Sequence, residues 1–148
     1  YRPDAKRDQL CVTAARLEII DQWAAPLLQS GLKPQVFELT TNALKRLARQ
    51  AALKSGAVLV LQQDNRWLWS DAHSAADIGE VATLAALRQQ AFPDASFVAW
   101  CAAEPGVLPA DATGFSPFDL FHYKQPPLPE NPGAFALAAG LALRDGDE

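Results

Sequence analysis

The residues whose types and spacing best suit a chemical role are the string Asp77-Ile78-Gly79 and the nearby Thr83. An Asp-apolar-Gly step followed by a Thr is typical of a hairpin that holds nucleotide phosphates. In such a hairpin, backbone N–H groups of a glycine turn bind phosphate oxygens, and the Asp orients a metal-bound water. The chemistry would be hydrolysis of a nucleoside triphosphate. It requires a buried apolar strand that leads into the Asp.

The residues that precede Asp77 do not meet that requirement, because residues 70–76 read SDAHSAA and suit a polar loop. Ser74 and Asp77 instead match the capping arrangement at the start of a helix. Asp77 and Glu80 would also favour the positive end of the helix dipole. We therefore predict a helix over residues 77–90 and keep the phosphate hairpin as the alternative. The apolar residues that support the helix by their spacing are Ile78, Val81, Ala82 and Ala85.

Other residues with catalytic or metal-binding potential lack the partners that such chemistry needs. His73 and His122 have no second His or Cys at ligand spacing, which argues against a zinc site. Ser70 and Ser116 lack the Gly-x-Ser-x-Gly context of a catalytic nucleophile. One loop region contains three acids that permit paired-carboxylate chemistry, with ordinary exposed acids as the alternative. These acids are Glu104, Asp111 and Asp119.

The composition is that of an ordinary globular domain, with 49% hydrophobic and 20% charged residues among 148. No apolar run approaches the roughly 18 residues of a membrane span, and no signal peptide is visible. Cys11 and Cys101 lie in apolar surroundings outside any Cys-x-x-Cys pattern. We predict buried, reduced thiols, which fit a reducing compartment. The chain begins at Tyr1 and contains no Met, so we expect a piece of a longer protein.

The hydrophobic pattern predicts alternating strands and helices, an order that is typical of α/β layers. Its clearest feature is a hairpin over residues 56–71, with Asp64 and Asn65 in the turn. Both tryptophans of the second strand should face one side and Leu68 the other. Asn131 and Pro132 suit the cap and first position of the last helix. The other predicted strands are 9–14, 35–39 and 96–102, and the predicted helices are 15–30, 42–54, 77–90 and 135–144.

Three surface features leave open whether they bind a partner or only complete the fold. The basic face of the helix at 42–54 would either attract DNA or be solvated, and it comprises Lys45, Arg46, Arg49 and Lys54. The net charge of −4 disfavours nucleic acid. The proline-rich residues 126–129 suit a polyproline II ligand or a stiff connector. Three aromatic residues would anchor the loop 103–132 or form a partner patch, namely Phe115, Phe118 and Phe121.

Three stretches together resemble a known family. Residues 14–47, AARLEIIDQWAAPLLQSGLKPQVFELTTNALKRL, are similar to a segment of PilM-type, actin-like pilus assembly proteins. In that segment a helix ends at Ala-Gly-Leu-x-Pro, and a strand and another helix follow. Residues 62–69, QQDNRWLW, and 124–144, KQPPLPENPGAFALAAGLALR, look like the enterobacterial HofM branch, associated with DNA utilisation. The resemblance covers most of residues 9–144.

The resemblance implies an α/β fold of the actin-like (ribonuclease H-like) class, with a layered mixed sheet and flanking helices. Residues 1–55 would be the end of a first lobe with a connecting helix. Residues 56–144 would be a reduced second lobe, and residues 145–148 a tail. In the family the phosphate hairpin directly follows the helix predicted at 42–54. That place is not Asp77 but Leu61, Gln62, Gln63 and Asp64.

That place departs from the family pattern, because the Asp-Ile-Gly is replaced around Leu61–Gln63 and no Gly follows in the turn. A Gly-Gly that would approach adenosine is also missing after the strand at 96–102, where Cys101-Ala102-Ala103-Glu104 stands. The resemblance therefore implies a degenerate nucleotide site in a protein that is not an enzyme, with no catalytic residue, cofactor or metal. The alternative is an ATP-binding, actin-like ATPase with a divergent site.

By the same resemblance, the function is that of a cytoplasmic assembly or scaffold protein in a type IV pilus-like or DNA-uptake system. Its partner would be a membrane-anchored protein of the PilN or HofN kind, which presents a short cytoplasmic tail. In the family, the first lobe binds most of that tail. The chain would lie at the inner face of the inner membrane through this partner, without direct binding of nucleic acid.

Overall fold

A computed structural model describes residues 2–4, 9–11, 14–54, 56–71, 78–91, 97–102, 108–122 and 127–144. The chain divides into two units, Tyr1–Phe37 and Glu38–Glu148. Within the described ranges, no helix has both the length and the apolar composition that a membrane crossing requires. The expected division into lobes at residue 55 stays a prediction.

The described residues of the first unit form one helix and one small antiparallel sheet. Its elements are β1, Arg2–Asp4, β2, Gln9–Cys11, and α1, Leu17–Gln29. Helix α1 confirms the helix predicted at 15–30, and it contains Pro26 without ending there. Gly31 follows the helix with a φ of +80°, the left-handed conformation that suits glycine at a helix end. The strand predicted at 9–14 is shorter, and residues 12–13 lie outside the described ranges.

The strand predicted at 35–39 is wrong. Residues 32–39 form no regular structure, so the strand predicted at 35–39 is absent. A strand needs a pairing partner, and none of the described strands pairs with this stretch. Helix α1 has no buried residue, and Leu17 and Trp23 are 71% and 65% exposed. The described part of its own unit offers two three-residue strands besides the helix, and these are too small to bury a helix face.

The second unit is built around a five-stranded mixed sheet, which confirms the predicted α/β class with a layered mixed sheet. Its strands are β3, Ala57–Gln63, β4, Arg66–Asp71, β5, Ile78–Val81, β6, Phe97–Ala102, and β7, Thr113–Gly114. They lie in the order β5-β4-β3-β6-β7. Strand β4 is antiparallel to β3 and β5, whereas β6 is parallel to β3 and β7.

Helices flank this sheet, as predicted. They are α2, Thr40–Gln50, α3, Leu84–Ala91, and α4, Ala136–Ala142, with 3₁₀ turns at Pro117–Leu120 and Pro132–Phe135. Helices α2 and α4 confirm the elements predicted at 42–54 and 135–144. Pro132 takes the first position of a 3₁₀ turn that leads into α4, and Asn131 makes no side-chain cap bond there. The proline lacks an N–H, which that position does not need.

Each face of the sheet packs its own hydrophobic cluster, because alternate strand residues face opposite sides. Leu68 lies in the first cluster, while Trp69 lies in the second with Trp67 packed against it, as predicted for the hairpin. The first cluster joins the sheet to α2 and α4 and contains Leu44, Leu47, Ala48, Leu59, Leu61, Leu68, Ala99, Cys101, Ala136 and Ala139. The second joins it to α3 and contains Val58, Val60, Trp69, Val81, Leu87, Val98 and Trp100.

The hairpin between β3 and β4 closes through the predicted turn. Asp64 and Asn65 have φ values of +49° and +58°. Left-handed conformations at both central residues define a type I′ turn, whose twist matches the paired strands. Gln63 pairs with Arg66 directly beside the turn, so the ladder extends to its end.

The helix predicted at 77–90 is wrong in its first part. Ile78–Val81 form strand β5, and the helix begins only at Leu84. Gly79 pairs with Trp69 of β4, and a Cβ on Gly79 would lie 2.7 Å from Trp69 Nε1. The glycine therefore makes room for the indole, and strand pairing overrides the helical spacing.

The capping residue also differs from the one predicted. Thr83 Oγ1 accepts a hydrogen bond from the Ala86 N–H at 3.1 Å, so Thr83 caps α3. The predicted cap, Ser74 with Asp77, lies outside the described residues. Two residues of the motif that suggested phosphate chemistry therefore have structural roles. Gly79 makes room for the Trp69 indole, and the Thr83 hydroxyl caps helix α3.

Candidate functional site

A pocket lies at the carboxyl ends of the parallel strands β3 and β6, beside Gln62 and Ala102. From β3 the chain adds β4 and β5 on one side, and it later places β6 and β7 on the other. The strand order therefore reverses between β3 and β6. In open α/β sheets, ligands bind outside the carboxyl ends of strands at such a reversal, which makes this pocket the candidate site.

The pocket has a volume of about 350 Å³ and a mixed lining. Its walls come from the ends of β3 and β6, from β7 and from the two 3₁₀ turns. The polar side chains of the lining are Gln62, Ser116, Asp119 and Asn131. The remaining lining residues are Trp100, Ala102, Leu108, Gly114, Phe115, Pro132 and Gly133.

Two backbone contacts hold these walls together. The Phe115 N–H donates a hydrogen bond to the Trp100 carbonyl at 2.9 Å, which holds the chain after β7 against β6. Gly133 lies directly on the backbone of Ala102, where any Cβ would overlap the Ala102 carbonyl oxygen. Only glycine permits this approach, so Gly133 brings the turn before α4 to the end of β6.

The charge of the lining does not suit a phosphate ligand. Asp119 is the only ionisable side chain among the described residues that line the pocket. Phosphate sites offer Lys, Arg or a row of backbone N–H groups from a glycine-rich turn. Here a single carboxylate faces any anion, and electrostatic repulsion would oppose its binding.

Only one residue of the predicted phosphate turn reaches the pocket. Gln62 lines it. Leu61 is 1% exposed and belongs to the first cluster, on the opposite face of β3. Gln63 is half-buried in the ladder, and Asp64 is exposed in the two-residue turn. The structure therefore does not bring Leu61, Gln63 and Asp64 together with the lining.

A function is inferred from the residues and geometry of this pocket, because the fold alone does not determine function. The chain matches no protein-family model, no curated protein and no solved structure. The resemblance to PilM-type proteins therefore stays a prediction.

The other residues considered for catalysis lie in separate surroundings. Ser116 and Asp119 line the pocket, whereas Asp111 forms an exposed ion pair with Arg88 at 3.3 Å. His122 is exposed. Among the residues that the structure describes, no group of three or more His, Cys, Asp or Glu could hold a metal ion. The remaining predicted residues, His73 and Glu104, lie outside the described ranges.

The basic face predicted on α2 is wrong for Arg46, which is buried in the second unit. Its guanidinium donates to both carboxylate oxygens of Glu38, at 2.7 and 3.0 Å, and to the Gly140 carbonyl at 2.8 Å. Gly140 makes this contact possible, because a Cβ there would overlap the backbone of Ala43 on α2. The arginine therefore ties α2 to α4, and it is not available to an anionic partner.

Two of the three phenylalanines of the long loop act as the predicted anchors. Phe115 and Phe121 pack against the first cluster. The rings of Phe118 and Phe135 have their centroids 5.6 Å apart, which joins the two 3₁₀ turns. Of the proline-rich stretch, Pro126 lies outside the described residues, and residues 127–129 are exposed without helix or strand.

Sequence reasoning missed most of the pocket. Trp100 and Asn131 lie far apart in the chain, and no local pattern joins them. Gly133 was the available signal, since glycine is the residue that permits a close approach of the backbone. Its partner, the end of β6, depends on the tertiary fold.

Cys101 is a buried thiol, as predicted, and Cys11 has no described side chain. Burial raises the pKa of the Cys101 thiol from its usual 9.0 to about 12. The Sγ also donates a hydrogen bond to the Phe115 carbonyl at 3.4 Å. The neutral thiol is a poor nucleophile, so Cys101 serves packing rather than chemistry.

This shift predicts a loss of stability in alkaline solution. The folded pKa is the higher one, so the thiol's contribution is complete below pH 9.0 and is lost as the pH rises towards about 12. Within that window we expect the free energy of unfolding to fall by about 1.4 kcal/mol per pH unit. Urea unfolding at several pH values between 9.0 and about 12 measures this decrease in the free energy of unfolding. Cys101→Ala lacks the thiol and should show a shallower decline, whereas parallel profiles would contradict the prediction.

Proposed function

We propose that this chain is a non-catalytic assembly module with an actin-like (ribonuclease H-like) lobe and a degenerate nucleotide site. It would serve a type IV pilus-like or DNA-uptake system, as the likeness to PilM-type proteins of the HofM branch implies. Its partner is a membrane-anchored protein of the PilN or HofN kind. The chain acts in the cytoplasm at the inner face of the inner membrane, and it requires no cofactor.

The observation that carries the proposal is the chemistry at the end of β3. Leu61 stands where the family has its phosphate turn, and it is buried in the first cluster. The two-residue turn at Asp64 and Asn65 has no glycine to wrap a phosphate. The adjacent pocket presents Asp119 and no basic side chain among its described lining residues. These features favour a lobe that has kept its fold and lost nucleotide binding.

The arrangement of the sheet supports the fold part of the proposal. Three antiparallel strands, β3, β4 and β5, form a meander, and β6 and β7 then run parallel to β3. The second unit thus has β3, the first strand of its sheet, at the centre. This strand order and these strand directions are what we expect of a ribonuclease H-like lobe. The helices on the two faces fit the same expectation.

The partner part of the proposal is supported by the surface of α1. This helix has no buried residue and carries exposed large side chains at a spacing of four residues, namely Ile19, Trp23 and Leu27. Exposed apolar groups that recur along one helix are typical of a surface that contacts another protein. The family resemblance assigns such a contact to a short cytoplasmic tail.

Calorimetry with Mg-ATP tests the nucleotide part. We expect no binding heat from the protein at nucleotide concentrations up to about 1 mM, a level that detects even weak sites. Micromolar binding that is lost in Gln62→Ala would overturn the proposal and establish the ATP-binding alternative. Gln63→Ala is the matched control, because Gln63 is adjacent in β3 but does not line the pocket.

Capture from membranes tests the partner part. Immobilised protein, incubated with detergent-solubilised inner membranes, should retain a membrane-anchored protein whose short cytoplasmic tail also binds as a synthetic peptide. Trp23→Ser should reduce the amount of the partner retained. Gln22→Ser is the matched control and should not reduce it, because Gln22 is an exposed polar residue beside Trp23. Equal retention by both variants, or a tail peptide that does not bind, would refute this part.

A further inference from the structure

Strand β7 leaves an edge of the second unit's sheet unpaired. It stands at the end of the described strand order, with β6 as its neighbour. The Phe115 N–H donates to the Trp100 carbonyl at 2.9 Å, so in this parallel register Thr113 and Phe115 turn their backbone groups towards β6. Because these directions alternate along a strand, the N–H and C=O of Gly114 point away from the sheet. Neither group has a hydrogen-bond partner among the described residues.

An edge of this kind is a template for an added strand. An extended segment of another chain pairs with the outward N–H and C=O, and such main-chain bonds tolerate many sequences. Proteins protect strand edges with charged side chains or proline, and β7, which consists of the exposed residues Thr113 and Gly114, has neither. The strand is short and offers only the two backbone groups of Gly114, so stable addition requires a further contact beside it.

The pocket next to β7 supplies that contact, because it has room for a side chain of the added strand. Gly114 lines the pocket, and a Cβ on it would meet no atom within 4 Å. A residue opposite Gly114 in an added strand would place its side chain over this open position. Leu108, which is 44% exposed, and the half-buried Phe115 line the same pocket. A large apolar side chain fits there, and an aromatic ring that covers an edge glycine stabilises strand pairing.

The charge around this edge favours a basic segment. The described stretches 108–122 and 127–143 contain no Lys or Arg and three acids, Asp111, Asp119 and Glu130. Arg88 pairs with Asp111, which still leaves a negative balance. The field of these carboxylates extends over roughly 8 Å at physiological salt, and it does not require that any of them be free of other contacts. Lys or Arg at the ends of an added strand would therefore be attracted to this edge.

We propose that the edge of β7 binds an extended basic segment of another protein as an added strand, with one large apolar side chain over Gly114 in the pocket. The N–H and C=O of Gly114 bind the main chain of the segment, and cationic residues at its ends complement the acidic surroundings. The inference goes beyond the proposed function, because it concerns the second unit and not the surface of α1.

A titration followed by amide NMR spectra tests the inference, with the acetylated and amidated peptide KTVFVTK as the probe. Saturable shifts are expected at the lining amides Gly114, Phe115, Ser116 and Gly133. The same peptide methylated at the nitrogens of its Phe and of the following Val lacks a donor for the Gly114 carbonyl in either strand direction. It should bind about tenfold more weakly. The peptide ETVFVTE, with acidic ends, should also bind about tenfold more weakly at low salt.

Gly114→Leu should block the position that the Phe side chain of the probe occupies, and it should weaken binding of KTVFVTK by about tenfold or more. The fold should be kept, because the new side chain starts in open space. Thr113→Leu is the matched control, since Thr113 is the exposed neighbour in β7 and its side chain lies on the opposite face of the sheet. This control should change the affinity by no more than about twofold.

Three results would overturn the inference: shifts that do not saturate, equal affinity for KTVFVTK and its methylated form, or equal affinity of Gly114→Leu and the unaltered protein. Trp23→Ser separates this site from the partner surface on α1, because it should leave the titration with KTVFVTK unchanged. Loss of peptide binding in Trp23→Ser would assign the peptide to α1 and would also overturn the inference. Each of these failures leaves the proposed function standing, since calorimetry with Mg-ATP and capture from membranes test that function independently.

Discussion

Replacing Arg46 with Met is expected to lower the free energy of unfolding by about 3–5 kcal/mol. The arginine is 8% exposed, and its guanidinium donates to Glu38 and to the Gly140 carbonyl. Methionine fills much of the volume but donates no hydrogen bond. The Glu38 side chain, which is 11% exposed, would then lose its arginine partner in a nearly dry environment.

Arg49→Met is the matched control, because Arg49 is exposed on the same helix. A surface substitution of this kind changes stability by about 0.5 kcal/mol or less. The double substitution Arg46→Met with Glu38→Gln should recover part of the loss, since it removes the carboxylate charge as well. Urea unfolding monitored by circular dichroism measures each variant. Equal losses for Arg46→Met and Arg49→Met would contradict a structural role for the buried pair.

The burial of Arg46 could not be predicted from the helical spacing of α2. Its neighbours Lys45 and Arg49 made it part of a basic face when helical spacing alone was considered. The burial depends on Glu38, which lies before α2, and on Gly140, which is 94 residues away. Neither contact leaves a periodic signal, so the position could not be predicted from α2 itself.

The hairpin was predictable for the opposite reason. Its turn at Asp64 and Asn65 and its alternation around Leu68 are local features, and both agree with the structure. Ile78–Val81 satisfied a helical pattern equally well in sequence. Their strand depends on pairing with β4, where Gly79 accommodates Trp69. Contacts between residues that are distant in sequence therefore determine the structure of this segment, and they also determine which residues line the pocket.

The pocket combines residues from four separate parts of the second unit. Of the four residues of the expected phosphate turn at the end of β3, only Gln62 belongs to the described lining. The face on which each residue of β3 lies depends on strand register, and register is a property of the sheet. Substitutions at Leu61 and at Gln62 should therefore have very different effects on the free energy of unfolding.

An acid at position 61 provides the sharpest test of that difference. Leu61→Asp is expected to cost more than about 4 kcal/mol in the free energy of unfolding, because it places a carboxylate in an apolar interior. Leu61 is 1% exposed and pairs in the sheet with Leu68 and Cys101, both buried in the same cluster. No charged residue belongs to that described cluster. Restoring an acid there would damage the core rather than create a phosphate site.

Gln62→Asp is the matched control, since the next residue of β3 lines the pocket and is partly exposed. We expect its cost to be within about 1 kcal/mol, because the carboxylate reaches solvent. Burial would raise the pKa of Asp at position 61 above its unfolded value of about 3.9. The folded state of Leu61→Asp should therefore lose stability as the pH rises above that value, while Gln62→Asp should not. Urea midpoints measured from acidic to neutral pH decide the matter, and equal losses in both variants would mean that Leu61 does not face the core.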